Sequence, residues 1–91
     1  MIIYRVASNF LKGVQDFEII KVEDEKSFTY EKDLGYRKMI RTRTFERQHP
    51  NDSNYFKSKE DAMIFLREKL KGAIKKNKEM INKYERFLND L

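Results

Sequence analysis

The sequence predicts an α+β domain: a four- or five-stranded antiparallel meander over residues 1–57, followed by one long amphipathic helix over residues 58–91. Three observations carry this. Short β-branched and aromatic runs fill the first half and are punctuated by turn residues. A serine-led cap precedes a proline-free stretch of helix formers. Finally, 91 residues are too few for two parts that each bury their own core, so a single domain is expected.

The elements follow in order. Ile2 to Ser8 holds Ile3, Tyr4, Val6 and Ala7 in a run too short for a stable helix and closed by Asn9, which reads as strand one. A turn through Lys12 and Gly13 leads to Asp16–Glu23, whose Phe17, Ile19, Ile20 and Val22 make strand two. After the acidic turn Glu23-Asp24-Glu25, Ser27–Glu31 is strand three. Asp33-Leu34-Gly35 then reverses the chain, because glycine takes positive φ without a Cβ clash. In Tyr36–Phe45, side chains alternate between two faces: Tyr36, Lys38, Ile40, Thr42 and Thr44 on one, Arg37, Met39, Arg41, Arg43 and Phe45 on the other. This strand is expected to display three arginines in line. Glu46–Ser53, with His49-Pro50-Asn51-Asp52, is a loop, and Asn54–Lys57 a short closing strand.

Ser58 stands three residues before Asp61, and Glu60 and Asp61 suit the positive end of a helix dipole, so the helix starts here. Met63, Leu70, Ile74, Ile81, Tyr84, Leu88 and Leu91 recur at separations of three, four and seven, with Asn77 in the same seam. Ala62, Phe65, Leu66 and Ala73 widen the stripe in the first half, the part expected to pack on the sheet. A helix of this length spans about 50 Å, whereas a sheet of four or five strands is only about 20 Å wide. The helix must therefore break near Lys71-Gly72 and fold back, or its distal half must pair with another protomer. The second is preferred, with Leu70, Ile74, Asn77, Ile81, Tyr84 and Leu88 as the oligomerisation residues of a homodimer or higher homo-oligomer.

Composition narrows the function. Charged residues make up 38% of the chain, balanced by 40% hydrophobic residues that include seven Phe and five Tyr, which is a folding composition. There is no cysteine, so neither a disulfide framework nor thiolate chemistry is available. The single histidine, His49, has no second His or Cys to build a metal site with. Ser27, Ser53 and Ser58 lie in no nucleophile motif, and the three glycines are too scattered for a phosphate loop. A non-enzymatic protein without metal or cofactor is expected. No leader-like N-terminus and no membrane-length apolar run are visible, which points to the cytoplasm. On that expectation, the sequon Asn51-Asp52-Ser53 is not used.

The net charge of +5 is unevenly distributed: residues 1–31 carry −2, residues 32–59 carry +5 and residues 60–91 carry +2. The basic middle contains the one constellation with chemical promise: Arg37, Arg41 and Arg43 on one strand face, with Arg47 and Lys57 nearby and Tyr36, Phe45, Tyr55 and Phe56 interleaved. Guanidinium forks match phosphate oxygens, and aromatic rings stack on bases. Arg37, Arg41 and Arg43 would contact phosphate, with Arg47 nearby in the same ligand site and Tyr36 or Tyr55 stacking on a base. The competing reading is a solvated strand face with its aromatics turned inward. Lys69, Lys71, Lys75, Lys76 and Lys78 form a second basic cluster, which reads as the solvated flank of the helix.

The meander, the stretch Tyr55-Phe56-Lys57-Ser58-Lys59-Glu60-Asp61-Ala62 and the Lys/Glu-rich helix after it resemble a recurrent type of small phage-encoded or mobile-element protein. In layout the chain is similar to the anti-Thoeris nucleotide-sponge family. That resemblance implies an oligomeric accessory protein that sequesters a signalling nucleotide to counter host defence. The alternatives are a nucleic-acid-binding accessory protein, whose arginines follow a backbone, and a protein inhibitor whose helix blocks a host enzyme.

Overall fold

The computed structural model describes all 91 residues. Their order is β1 (Ile2–Val6), a 3-10 turn at Phe10–Lys12, β2 (Val14–Glu18), β3 (Lys21–Val22), β4 (Ser27–Asp33), β5 (Lys38–Thr44), β6 (Asn54–Phe56) and α1 (Lys59–Asp90). The α+β class and the C-terminal helix agree with the sequence reading. The meander does not. The six strands form two three-stranded sheets, in the orders β2-β1-β6 and β3-β4-β5, and every pairing is antiparallel.

Two local causes explain the difference. The expected second strand is divided at Ile19-Ile20. The Ile19 amide still donates to Met1 in the first sheet, and the Ile20 amide already donates to Thr29 in the second, each at 2.8 Å. The chain changes sheet between these two residues, burying Ile19 and exposing Ile20. The last strand, β6, returns to lie beside β1, pairing Arg5 with Tyr55, because Tyr55 and Phe56 have opposite faces to cover. At the other side the Tyr55 amide donates to the Phe45 carbonyl at 2.8 Å, so the sheets are joined at both margins.

Alternation along the first sheet accounts for the layering. Ile3, Phe17 and Tyr55 point at the second sheet, where they meet Ile19, Phe28 and Tyr30, with Val22 and Phe45 at the margin. Phe28 is fully buried at the centre of this core, its ring 4.9 Å from Tyr55 and 5.0 Å from Phe45. Val6 points the other way, against Ala62 and Leu66 of the helix, in a second core that also takes Tyr4, Phe10, Val14, Phe56 and Phe65. The first sheet is therefore covered on both faces, and its central strand β1 feeds both cores.

The helix begins where the sequence indicates, with Ser58 Oγ accepting from the Asp61 amide at 3.3 Å. It runs 32 residues without a break, so Gly72 does not open a hairpin. Its buried residues are Ala62 and Leu66, and from Ile74 to Leu91 every residue is exposed. Leu70, expected in the oligomerisation seam, instead packs partly buried against the core formed with the first sheet. The remaining seam residues protrude beyond the sheets, in a molecule 59 Å long and 19 Å thick. No helix is long and apolar enough to cross a membrane.

Candidate functional site

Strand β5 belongs to the second sheet as an edge strand, hydrogen-bonded only to β4. The register sets Arg43 opposite Phe28, Arg41 opposite Tyr30 and Met39 opposite Lys32, so Arg41 and Arg43 do share the core-side face of β5. Arg37 does not join them. It lies in the β4–β5 turn, where its carbonyl accepts from the Leu34 amide at 2.9 Å. That turn needs Gly35, which has φ +88, and Asp33 Oδ1 holds the Gly35 amide at 2.8 Å. The expected line of three arginines is thus two on the strand and one at the hairpin tip, because the strand starts at Lys38 and not at Tyr36.

The four arginines have different surroundings. Arg37 covers the ring of Tyr36 at 5.6 Å, and Tyr36 is 81% exposed at the tip. Arg41 makes one side-chain contact of hydrogen-bond type, from Nη2 to the Met39 sulfur at 3.9 Å. Arg43 is the most constrained: its guanidinium lies 5.6 Å from the Tyr30 ring centroid and 5.9 Å from that of Tyr55, and Nη1 donates to the Tyr55 hydroxyl at 3.0 Å. Partial burial alone would lower its pKa, but the neighbouring phenol groups of Tyr55 and Tyr30 outweigh it and raise the pKa. Arg43 therefore carries a permanent charge in a fixed position. Arg47 lies early in the β5–β6 loop, its amide donating to Asn54 Oδ1 at 3.1 Å and its Nη1 to the Pro50 carbonyl at 3.3 Å.

Tyr55 cannot stack on a base, contrary to the sequence reading. It is 3% exposed and its ring is packed among Phe17 and Phe28, leaving the hydroxyl as its functional end. Tyr36 remains the one exposed ring of the set.

Arg43 and Arg47 line one open depression of about 240 Å³ beside the free edge of β5, together with Thr42, Thr44, Gln48, Asp52 and Ser53. The lining contains no hydrophobic residue. Ser53, buried at the base of the loop, accepts from Arg5 Nε at 2.9 Å, which brings a further guanidinium to the same corner. None of Arg37, Arg41, Arg43 and Arg47 is ion-paired; the four salt bridges use Met1, Lys21, Lys38 and Lys71 as cations. Asp52 does share the depression, but it accepts from the His49 amide at 3.2 Å. Chemically, the depression offers forked donors and hydroxyls with positive charge in excess, a combination suited to an oxyanion.

The contributions of Thr42, Thr44, Gln48 and Ser53 were not apparent from sequence, since the path of the β5–β6 loop has no local signal. Arg5 did have one: two residues from Ile3 on the same strand, it shares the inner, apolar face, so its charged end had to emerge at the rim of the core. No three His, Cys, Asp or Glu residues gather as a metal site would require. Comparison with protein-family models, with curated proteins and with solved structures finds no match to this chain.

Proposed function

We propose that this chain is a non-catalytic binding protein for a phosphate-bearing ligand, held at the corner between β5 and the β5–β6 loop. The observation that carries the reading is the convergence of Arg43 and Arg47, neither paired to a carboxylate, on one wholly polar depression. Arg43 is positioned in advance by Tyr55, so little ordering cost remains on binding. Small signalling nucleotides, sequestered by an accessory protein of a phage or mobile element, are the ligand class that fits both a compact anionic group and the layout of the chain.

A second reading has its own observation. Tyr36 and Arg37 stand exposed at the hairpin tip, with Arg41 between them and Arg43, so cationic groups follow β5 for about 20 Å. That length suits a single strand of nucleic acid, with Tyr36 stacking on a base and the arginines following its backbone.

Isothermal titration of the full chain against cyclic mononucleotides, cyclic dinucleotides and a short single-stranded oligonucleotide separates the two. A compact ligand at the Arg43–Arg47 corner loses about ten-fold in affinity or more in Arg47→Ala and changes little in Arg37→Ala. A polyanion along β5 responds to both variants and weakens steeply as salt is raised, through counterion release. Binding of none of these by folded protein, or binding unchanged in both variants, contradicts the proposal.

A further inference from the structure

The exposed half of α1 continues the same stripe that the first half buries. Ala62, Leu66 and Leu70 face the first sheet, and Ile74, Asn77, Ile81, Tyr84, Leu88 and Leu91 follow on that side at three- and four-residue steps. In heptad terms Ile74, Ile81 and Leu88 are a positions, and Asn77, Tyr84 and Leu91 are d positions. The flanking g positions are apolar, Ala73, Met80 and Phe87, whereas the e positions are charged, Lys78 and Glu85. Phe87 and Leu88 are each 67% exposed and Tyr84 is 65% exposed. A stripe three positions wide is what a helix buries against another helix, not what it shows to water.

We infer that a second copy of this chain covers the stripe, with its helix antiparallel and in a single register that sets Ile74 opposite Leu91, Asn77 opposite Leu88 and Ile81 opposite Tyr84. Flanking charge and packing select the orientation. In antiparallel pairs g faces g and e faces e, so Met80 meets Phe87 of the second copy, and Lys78 meets Glu85, each contact occurring twice by symmetry. A parallel pair would set g against e, placing Met80 beside Glu85 and Ala73 beside Lys78. It would also crowd two basic β bodies at one end. The antiparallel pair separates them and opposes the helix dipoles favourably. Asn77 is the one layer a parallel pair would suit better, since its amide would meet its own copy; the two flanking rows and the crowding outweigh that layer.

The β body selects the register. The stripe is occupied by the core under the first sheet as far as Leu70, Ala73 is still partly buried, and every residue is exposed from Ile74 onward. With Ile74 opposite Leu91, the second helix ends where the sheet begins. Sliding it one heptad inward drives its last turn into the sheet. Sliding it one heptad outward leaves Ile74 and Asn77 uncovered and removes the Lys78–Glu85 contact. Seven large apolar side chains lie between Ile74 and Leu91 on each copy. At roughly 80 Å² apiece they bury about 1,100 Å². Backbone and polar stems bring the contact into the range of about 1,200–2,000 Å² typical of stable pairs.

Light scattering of the full chain, from micromolar to millimolar concentration, is the test, with charge-swap variants to read orientation. The wild type is expected to approach twice the 11.1 kDa chain mass. Lys78→Glu and Glu85→Lys singly create two like-charge contacts and weaken the dimer roughly ten-fold, while the double variant restores it. Ile81→Asp abolishes the dimer without unfolding the chain, as circular dichroism would show, because Ile81 is 53% exposed in the monomer. A wild type that stays monomeric at every concentration overturns the inference. So does a double variant no better than the single ones, which would mean that Lys78 and Glu85 do not meet.

Discussion

Asp24 and Tyr55 show how single polar groups organise this small fold. The Asp24 carboxylate accepts from the Lys26 amide at 2.7 Å, the Ser27 amide at 2.8 Å and the Ser27 hydroxyl at 3.0 Å, closing the β3–β4 turn. The bond from the Lys26 amide, then that from the Ser27 hydroxyl, hold its carboxyl below the usual 3.8. A carboxyl whose pKa is depressed on folding contributes stability above its unfolded pKa and loses it as pH falls through the folded one. Asp24→Ala is therefore expected to lower the thermal midpoint at pH 7, with the difference from wild type shrinking below about pH 4, followed by circular dichroism. Tyr55 packs its ring in the core and fixes Arg43 through its hydroxyl. Tyr55→Phe keeps the ring in the core but releases Arg43, which should cost about 1 kcal/mol in urea unfolding and weaken ligand affinity several-fold by calorimetry. The arginines of this site were legible as residue types in the sequence. Their roles were not, because Tyr55 was equally readable as a stacking ring, and only its pairing beside Arg5 turns it inward.

At the scale of elements, the helix was the best-marked part of the sequence and the strands the least. Ser58, Glu60 and Asp61 announce a start through groups that interact within one turn, and the 32-residue helix begins where they place it. The strand pairings depend on residues far apart in the chain, such as Tyr4 with Phe56, and no local pattern encodes that partner choice. Tyr36 and Arg37 alternate as strand residues do, yet the turn that Asp33 and Gly35 set up takes both of them. Two substitutions test the helix. Ser58→Ala removes the cap and is expected to cost about 1 kcal/mol. Gly72 has nothing within 4 Å of where a Cβ would stand, so Gly72→Ala should stabilise by about 0.5–1 kcal/mol. Destabilisation by Gly72→Ala in chemical denaturation would mean that the helix bends there in solution.

For the whole molecule, two thin sheets share a first core around Phe28, a second core fastens the start of the helix, and the remaining helix stands clear as an arm. Phe28→Ala should cost about 3–5 kcal/mol, a large part of the stability available to 91 residues, and unfold the chain at modest temperature. The excess helix length was legible from arithmetic alone; which of its two consequences holds was not, since Gly72 permits a break without requiring one. Its unbroken course leaves a stripe from Ile74 to Leu91 that only another surface can cover, and the proposed antiparallel copy is that surface. The chain has no cysteine, so Gly72→Cys carries a single spin label, and the label-to-label distance in the dimer can be read directly. The antiparallel register offsets the two labels by roughly 30 Å along the helix axis and predicts a distance near 35 Å. A parallel pair holds them across helices only about 10 Å apart, so a distribution centred near 20 Å, or no dipolar modulation at all, would contradict it.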